Sequence, residues 1–186
     1  MQSLLASIRI TVATMAICVA GYTFAVWAVG QVISPDTAQG SLILRPDGTI
    51  IGSRAIAQAF TQPRYFWPRP SAVDYNAAGA GGSNKSPTSS DLTERARGTV
   101  DAYGATANEP LPADLAAASG AGLDPHISER AALYQAGRVA DARGLPRPQV
   151  EALIQRMAFS PGGVLTPDRI VNVLELNLAL DGSGAS

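Results

Sequence analysis

A chain of 186 residues has room for one domain plus an appendage, and 46% apolar against 16% charged residues is a high ratio for a domain that meets only water. The net charge of −1 leaves no electrostatic footprint for nucleic acid. A single cysteine excludes an internal disulfide, and one histidine beside it falls short of the three or four nitrogen or sulfur ligands that zinc takes.

Much of the apolar excess lies near the start. Ile10 to Ile33 is a run of 24 residues without a charged side chain, and as a helix it would extend roughly 36 Å, enough to span a bilayer with some tilt. A cleaved signal peptide usually has an apolar region of about 7 to 15 residues, so this run is too long for one, although Ala28-Val29-Gly30 would serve as a cleavage triplet. A lipid-modified cysteine would follow small residues, whereas Cys18 follows Ile17 and reads as a small buried apolar side chain. Arg9 precedes the run and Asp36 is the first charge after it, which orients the amino terminus inward. The layout expected is residues 1–9 cytoplasmic, 10–33 transmembrane and 34–186 extracytoplasmic.

Beyond the span, Ser41–Leu44 and Thr49–Ile51 flank Arg45-Pro46-Asp47-Gly48, a hairpin signal. Ser53 to Phe60 predicts a short helix, with Ile56 and Phe60 on one face. From Thr61 to about Ser90 the prolines at 63, 68, 70 and 87 and a Gly/Ser/Asn cluster predict a long loop. Helices are expected from Ser90, with a serine cap, to about Tyr103; over Ala113–Ser119; from the Ser128 cap to Arg143; and over about Pro148–Phe159. In the tail, Leu174, Leu176, Leu178 and Leu180 alternate like a strand, but Thr166-Pro167-Asp168 resembles a helix opening, and the reading adopted is a helix from Asp168. The fold class expected is α+β: one amino-terminal transmembrane helix followed by a small extracytoplasmic α+β domain with long loops.

Three groups of residues raise questions of chemistry. Gly79 to Ser86 reads GAGGSNKS, one residue from the phosphate-loop pattern, but no apolar strand precedes it and Pro87 keeps a helix from starting at Lys85, so a surface turn is expected. Asp124, His126 and Ser128 could form a hydrolytic set; equally, Asp124-Pro125 could open a turn and Ser128 could cap the next helix. Tyr65-Phe66-Trp67 followed by Arg69 could stack on a base or hold a cation, or could plug the core of a domain poor in large side chains. No aspartate stands in the DKTG context that P-type pumps phosphorylate.

Together with a single amino-terminal span, the segments Phe66-Trp67-Pro68-Arg69-Pro70-Ser71-Ala72, Tyr75-Asn76, Gly81-Gly82-Ser83-Asn84, Ser119-Gly120-Ala121-Gly122-Leu123-Asp124-Pro125-His126-Ile127-Ser128, Gln135, Arg138-Val139-Ala140, Arg143 and Val171 to Leu180 resemble the C subunit of the Kdp potassium-transporting ATPases over nearly the whole chain. That resemblance implies an accessory subunit in a bacterial inner-membrane complex. The partners implied are a channel-like subunit that selects potassium, a P-type subunit that hydrolyses ATP, and a small stabilising subunit, with membrane lipid and no nucleic acid. The family has been described as a catalytic chaperone that raises ATP affinity; the flanking charges instead place the domain outside, where it could cap the potassium entrance. The resemblance implies no cofactor of the chain's own, with ATP possible through the complex. The family-matching polar positions are Arg69, Ser71, Tyr75, Asn76, Ser83, Asn84, Asp124, His126, Gln135 and Arg138. The family pattern SGGSNLGP reads AGGSNKSP here, so Lys85 stands in place of a leucine.

Overall fold

In the computed structural model, which describes residues 1–166 and 168–183, the chain is helical from Gln2 to Ile33. Helix α1 (Gln2–Met15) passes through a π-helical segment (Ala16–Gly21) into α2 (Tyr22–Ile33). The combined helix is long and apolar enough to cross a membrane, and none of it is buried against the rest of the chain. Cys18 lies on the surface of this helix and does not pack against the rest of the chain. Ser34 leaves helical geometry because Pro35 follows it.

After one turn of helix, α3 (Pro35–Ala38), the chain enters the expected hairpin, β1 (Leu42–Leu44) and β2 (Ile50–Ser53). Its turn is closed by the Arg45 N–H donating to the Thr49 carbonyl at 2.9 Å and by the Asp47 carboxylate accepting from the Thr49 N–H at 2.9 Å. The chain forms two compact units, Met1–Ile51 and Gly52–Ser186.

The second unit contains α4 (Ser90–Tyr103), α5 (Ala113–Ala116), β3 (His126–Ser128), α6 (Glu129–Arg143), α7 (Arg147–Met157), β4 (Ile170–Asn172) and α8 (Val173–Ser183). The architecture is α+β, with sheets of only two short strands. Strands β3 and β4 are antiparallel, with Ile127 opposite Val171. The core gathers around α6, whose Ala132, Ala136, Val139 and Ala140 form a narrow buried face. Such small side chains let α7 approach closely with Val150 and Ile154, while α8 adds Leu176 and Leu180.

Several expectations are corrected. Ser53–Phe60 is not a helix: the Ser53 hydroxyl accepts from the Ala55 N–H at 3.1 Å, and the Ala57 N–H donates to the Leu123 carbonyl at 2.9 Å, so the backbone is committed to a turn and to a distant loop. The cap position of α4 is Ser89, and its side chain makes no capping bond. The tail is strand and then helix. Ile170–Asn172 pairs with β3, and α8 begins only at Val173, where the Asn172 side chain accepts from the Glu175 N–H at 3.1 Å. Of the expected helix opening, Pro167 lies outside the described residues and Asp168 is not helical. The alternation of leucines does not mark a strand, because the residues α8 buries, Val173, Leu174, Leu176, Asn177 and Leu180, lie on one helical face.

The long loop holds its shape without regular structure because side chains take the place of a neighbouring strand. Asn177 on α8 accepts from the Phe66 N–H (2.8 Å) and donates to the Phe66 carbonyl (3.0 Å). Gln135 on α6 does the same for Trp67, at 2.8 and 3.1 Å. Phe66 is thereby pushed fully into the core. Asn177→Ala would leave both Phe66 backbone groups unpaired inside the protein and should cost on the order of 3 kcal/mol; equilibrium unfolding in urea of the full chain in detergent micelles would measure it, and a loss under about 1 kcal/mol would mean that water replaces the amide.

Candidate functional site

A cleft of about 730 Å³ in the second unit opens beside β3. Its lining includes Arg69, Asp114, Asp124, His126, Ser128 and Arg169. Asp124 is the hub. Its carboxylate accepts from the Arg69 guanidinium at 3.2 Å and from the His126 backbone N–H at 3.0 Å, with His126 Nδ1 at 3.4 Å. The hydrogen bond from the His126 side chain, helped by the His126 backbone N–H and the nearby Arg69 charge, holds the Asp124 carboxyl below the usual carboxylate range against a partial desolvation. The imidazole meets Phe159 edge-on, with ring centroids 5.7 Å apart.

The hydrolytic set does not assemble. Ser128 Oγ accepts from the Ala131 N–H at 3.0 Å as the N-cap of α6, and its own N–H donates to Asp114 at 2.9 Å. Among the described residues no hydrogen bond joins His126 to Ser128, so the serine has no base to activate it in this arrangement.

The other singled-out positions fall into two further places. Ser71 Oγ donates to the Gly122 carbonyl at 2.7 Å and accepts from the N–H groups of Val73 (3.2 Å) and Tyr75 (3.0 Å). The Tyr75 hydroxyl, its pKa raised by burial, donates to the Arg69 carbonyl at 3.0 Å, and Asn76 accepts from the Ala78 N–H. This turn abuts the glycine-rich stretch, where the Gly81 N–H donates to the Ala121 carbonyl at 2.8 Å. A Cβ on Gly82 would stand 2.7 Å from the Gly120 carbonyl oxygen, and one on Gly122 would meet Val73 and Gly81 at 2.5 and 2.9 Å. The glycines thus allow two backbones to touch. Lys85 pairs with Asp91 on α4, and the side chains of Ser83 and Asn84 make no hydrogen bond among the described residues. Nothing in this arrangement wraps a phosphate.

Gln135 and Arg138 lie at the second place, behind Trp67. Arg138 donates to the carbonyls of Pro63 (2.6 Å) and Tyr65 (3.0 Å) and to Gln135 (2.7 Å), with its guanidinium 3.9 Å over the Trp67 ring. The aromatic triplet therefore both plugs the core, through Phe66, and holds a cation, through Trp67.

The sequence reading missed Asp114, Arg169, Asn172 and Asn177 as anchoring residues. Arg169 bridges Glu129 (2.8 Å) and the carbonyls of Gln155 (2.6 Å) and Ala158 (2.7 Å). The signal for Asn172 and Asn177 was available: each is an amide in the run Ile170–Leu180, which is apolar apart from these two and Glu175, and a buried polar group there needs a partner.

The sequence profile described as KdpC, "K+-transporting ATPase, c chain", matches residues 4–182. The chain belongs to the KdpC family. A protein of Parvibaculum lavamentivorans named potassium-transporting ATPase KdpC subunit is 74% identical over 181 residues, 97% of each chain. KdpC subunits of the same name from Cereibacter sphaeroides and Methylococcus capsulatus are 47% and 48% identical, the former over 88% of both chains and the latter over 86% of this chain and 87% of its own.

Two outcomes follow for this KdpC chain. Gly122 sits at φ +70° with no room for a side chain, so Gly122→Ala should lower stability by on the order of 2 kcal/mol or more, visible as a fall in the thermal midpoint; an unchanged midpoint would refute the close packing. Because the folded Asp124 pKa is lowered, its contribution is present above the ordinary carboxylate range, near about 4, and is lost as pH falls through the lower folded value. The stability gap between the native chain and Asp124→Asn should accordingly be constant above about pH 5 and close below about pH 4, a difference that urea titrations across that range would read.

Proposed function

We propose that this chain is the accessory, non-catalytic subunit of a potassium-transporting P-type ATPase, and that it promotes assembly and activity by presenting a stiff outer domain to its partners. Residues 10–33 anchor it in the bacterial inner membrane, residues 1–9 lie in the cytoplasm and residues 34–186 lie outside. The partners are the channel-like potassium-selecting subunit, whose outer entrance the domain caps, the ATP-hydrolysing subunit, the small stabilising subunit and membrane lipid. In this reading the chain holds no cofactor of its own. ATP is reached only through the subunit that hydrolyses it, and any rise in ATP affinity is transmitted through the assembly.

The observation that carries the reading is the use to which the polar family positions are put. Arg69, Ser71, Tyr75, Asn76, Asp124, Gln135 and Arg138 all hold backbone or one another in place. A domain whose polar groups are spent on fixing long loops suits a docking surface more than a reaction centre. The orientation rests on Arg9 ahead of the uncharged run Ile10–Ile33 and on Asp36 as the first charge after it.

Orientation is tested with Asn108→Cys, an exposed loop position, in a Cys18→Ala background. A membrane-impermeant thiol reagent should label it on intact spheroplasts; protection until lysis would place the domain inside and overturn the entrance-capping role. Lys85→Leu should leave the potassium-stimulated ATPase of the complex within about twofold, less than 0.5 kcal/mol of barrier, whereas a collapse of turnover would point back to a nucleotide role. His126→Ala should reduce the yield of assembled complex while turnover per complex is kept; an intact but inactive complex would contradict an assembly role.

A further inference from the structure

A second cleft, about 330 Å³, lies between α4 and the loop that carries the aromatic triplet. It is unrelated to the Asp124 site. Phe60, Trp67, Tyr75 and Tyr103 supply its walls, and Arg95 is the one charged residue in its lining. Trp67 and Tyr103 meet edge-on at 5.1 Å, which fixes the floor.

Two independent features leave this cleft unfinished. The Nε atoms of Arg69, Arg95 and Arg138 are all buried without a hydrogen-bond partner, but Arg69 and Arg138 are engaged through their other guanidinium nitrogens, whereas among the described residues the Arg95 guanidinium makes no hydrogen bond or ion pair. A desolvated guanidinium nitrogen with no acceptor is costly. Second, Gly98 stands in the interior of α4, lines the same cleft, and a Cβ there would meet nothing within 4 Å. Neither a left-handed φ nor a close neighbour requires glycine at this position, yet glycine weakens a helix interior. Glycine at this position leaves open space at that wall of the cleft.

We propose that this cleft receives a carboxylate-bearing segment of a partner polypeptide, with the carboxylate on Arg95 and its apolar flank against the aromatic walls. The inference rests on the reading of the chain as a subunit of a complex. Charge decides the occupant: the lining offers one fixed cation, with no second basic side chain and no helix amino terminus, since Ser90 at the start of α4 is not part of it. That matches a single carboxylate better than a phosphate, which draws on several donors. The size suits one or two inserted side chains, at the small end of ligand pockets.

The test uses the assembled complex carrying a benzophenone amino acid in place of Glu94, an exposed position one residue before Arg95 and one turn from Gly98. Irradiation and mass spectrometry identify the attached peptide. The expected product joins a partner peptide containing Asp, Glu or a chain carboxyl terminus, and its yield falls about tenfold in both Arg95→Met and Gly98→Leu. It should persist in Arg97→Met, an exposed arginine outside the cleft. Because the space beside Gly98 is open, Gly98→Leu should keep or raise the thermal midpoint, so this variant decides the matter if Arg95→Met fails to assemble. Attachment to lipid, attachment to a peptide without an acid, or a yield indifferent to either substitution would overturn the proposal. So would the absence of any intermolecular product from a complex that contains the chain, whereas a transporter that assembles and runs without the chain would instead refute the subunit reading.

Discussion

The two amide side chains that grip Phe66 and Trp67 are the constraint on which the second unit depends. Each replaces one residue's worth of sheet ladder, and together they make four hydrogen bonds to two consecutive residues. At about 1 kcal/mol net per bond, they roughly offset the backbone entropy of the residues they order, about 1–2 kcal/mol each. What then remains is the burial of Phe66, which closes the core between α6 and α8. The rest of the loop is held on the same principle at lower density. Arg138 and Arg143 take the carbonyls of residues 63 to 65, and Asn172 takes that of Arg54 at 2.8 Å.

This economy explains how a small domain can carry so long a stretch without regular structure. Backbone groups that neither a helix nor a sheet satisfies need another partner. In the Ser71–Gly82 region that partner is partly another backbone, brought within reach by Gly82 and Gly122. The glycine-rich stretch that resembles a phosphate loop on paper serves chain-to-chain packing, and Lys85 reaches outward to Asp91.

Much of the architecture was legible beforehand where it depends on local rules. The apolar run, the Pro-Asp-Gly hairpin, the Ser128 cap and the stripe on α7 each follow from spacing and turn chemistry within about a dozen residues. What escaped depends on distant pairing. Strands β3 and β4 are three residues each and exist because His126–Ser128 and Ile170–Asn172 find each other across more than 40 residues, which no local pattern announces. Ser53–Phe60 failed as a helix for the same reason, since Ala57 is claimed by Leu123. At the site, the family-matching residues were identifiable one by one, but not that they divide between the Asp124 hub, the Ser71 turn and the Trp67 clamp. Arg95 and Gly98 lie on α4, a helix with no buried residue, and only the folded chain brings them to a common cleft.

The choice of anchoring residues has one more effect. Glutamine, asparagine and arginine hold the 63–67 segment, and the two amide side chains carry no titratable group. Asp181, which receives Arg143 at 2.8 Å and Tyr65 at 3.1 Å, is the one acid among the contacts of that segment within the described residues. With the domain outside, as proposed, the Phe66 and Trp67 backbone is held by amide groups that a change in the external medium does not protonate.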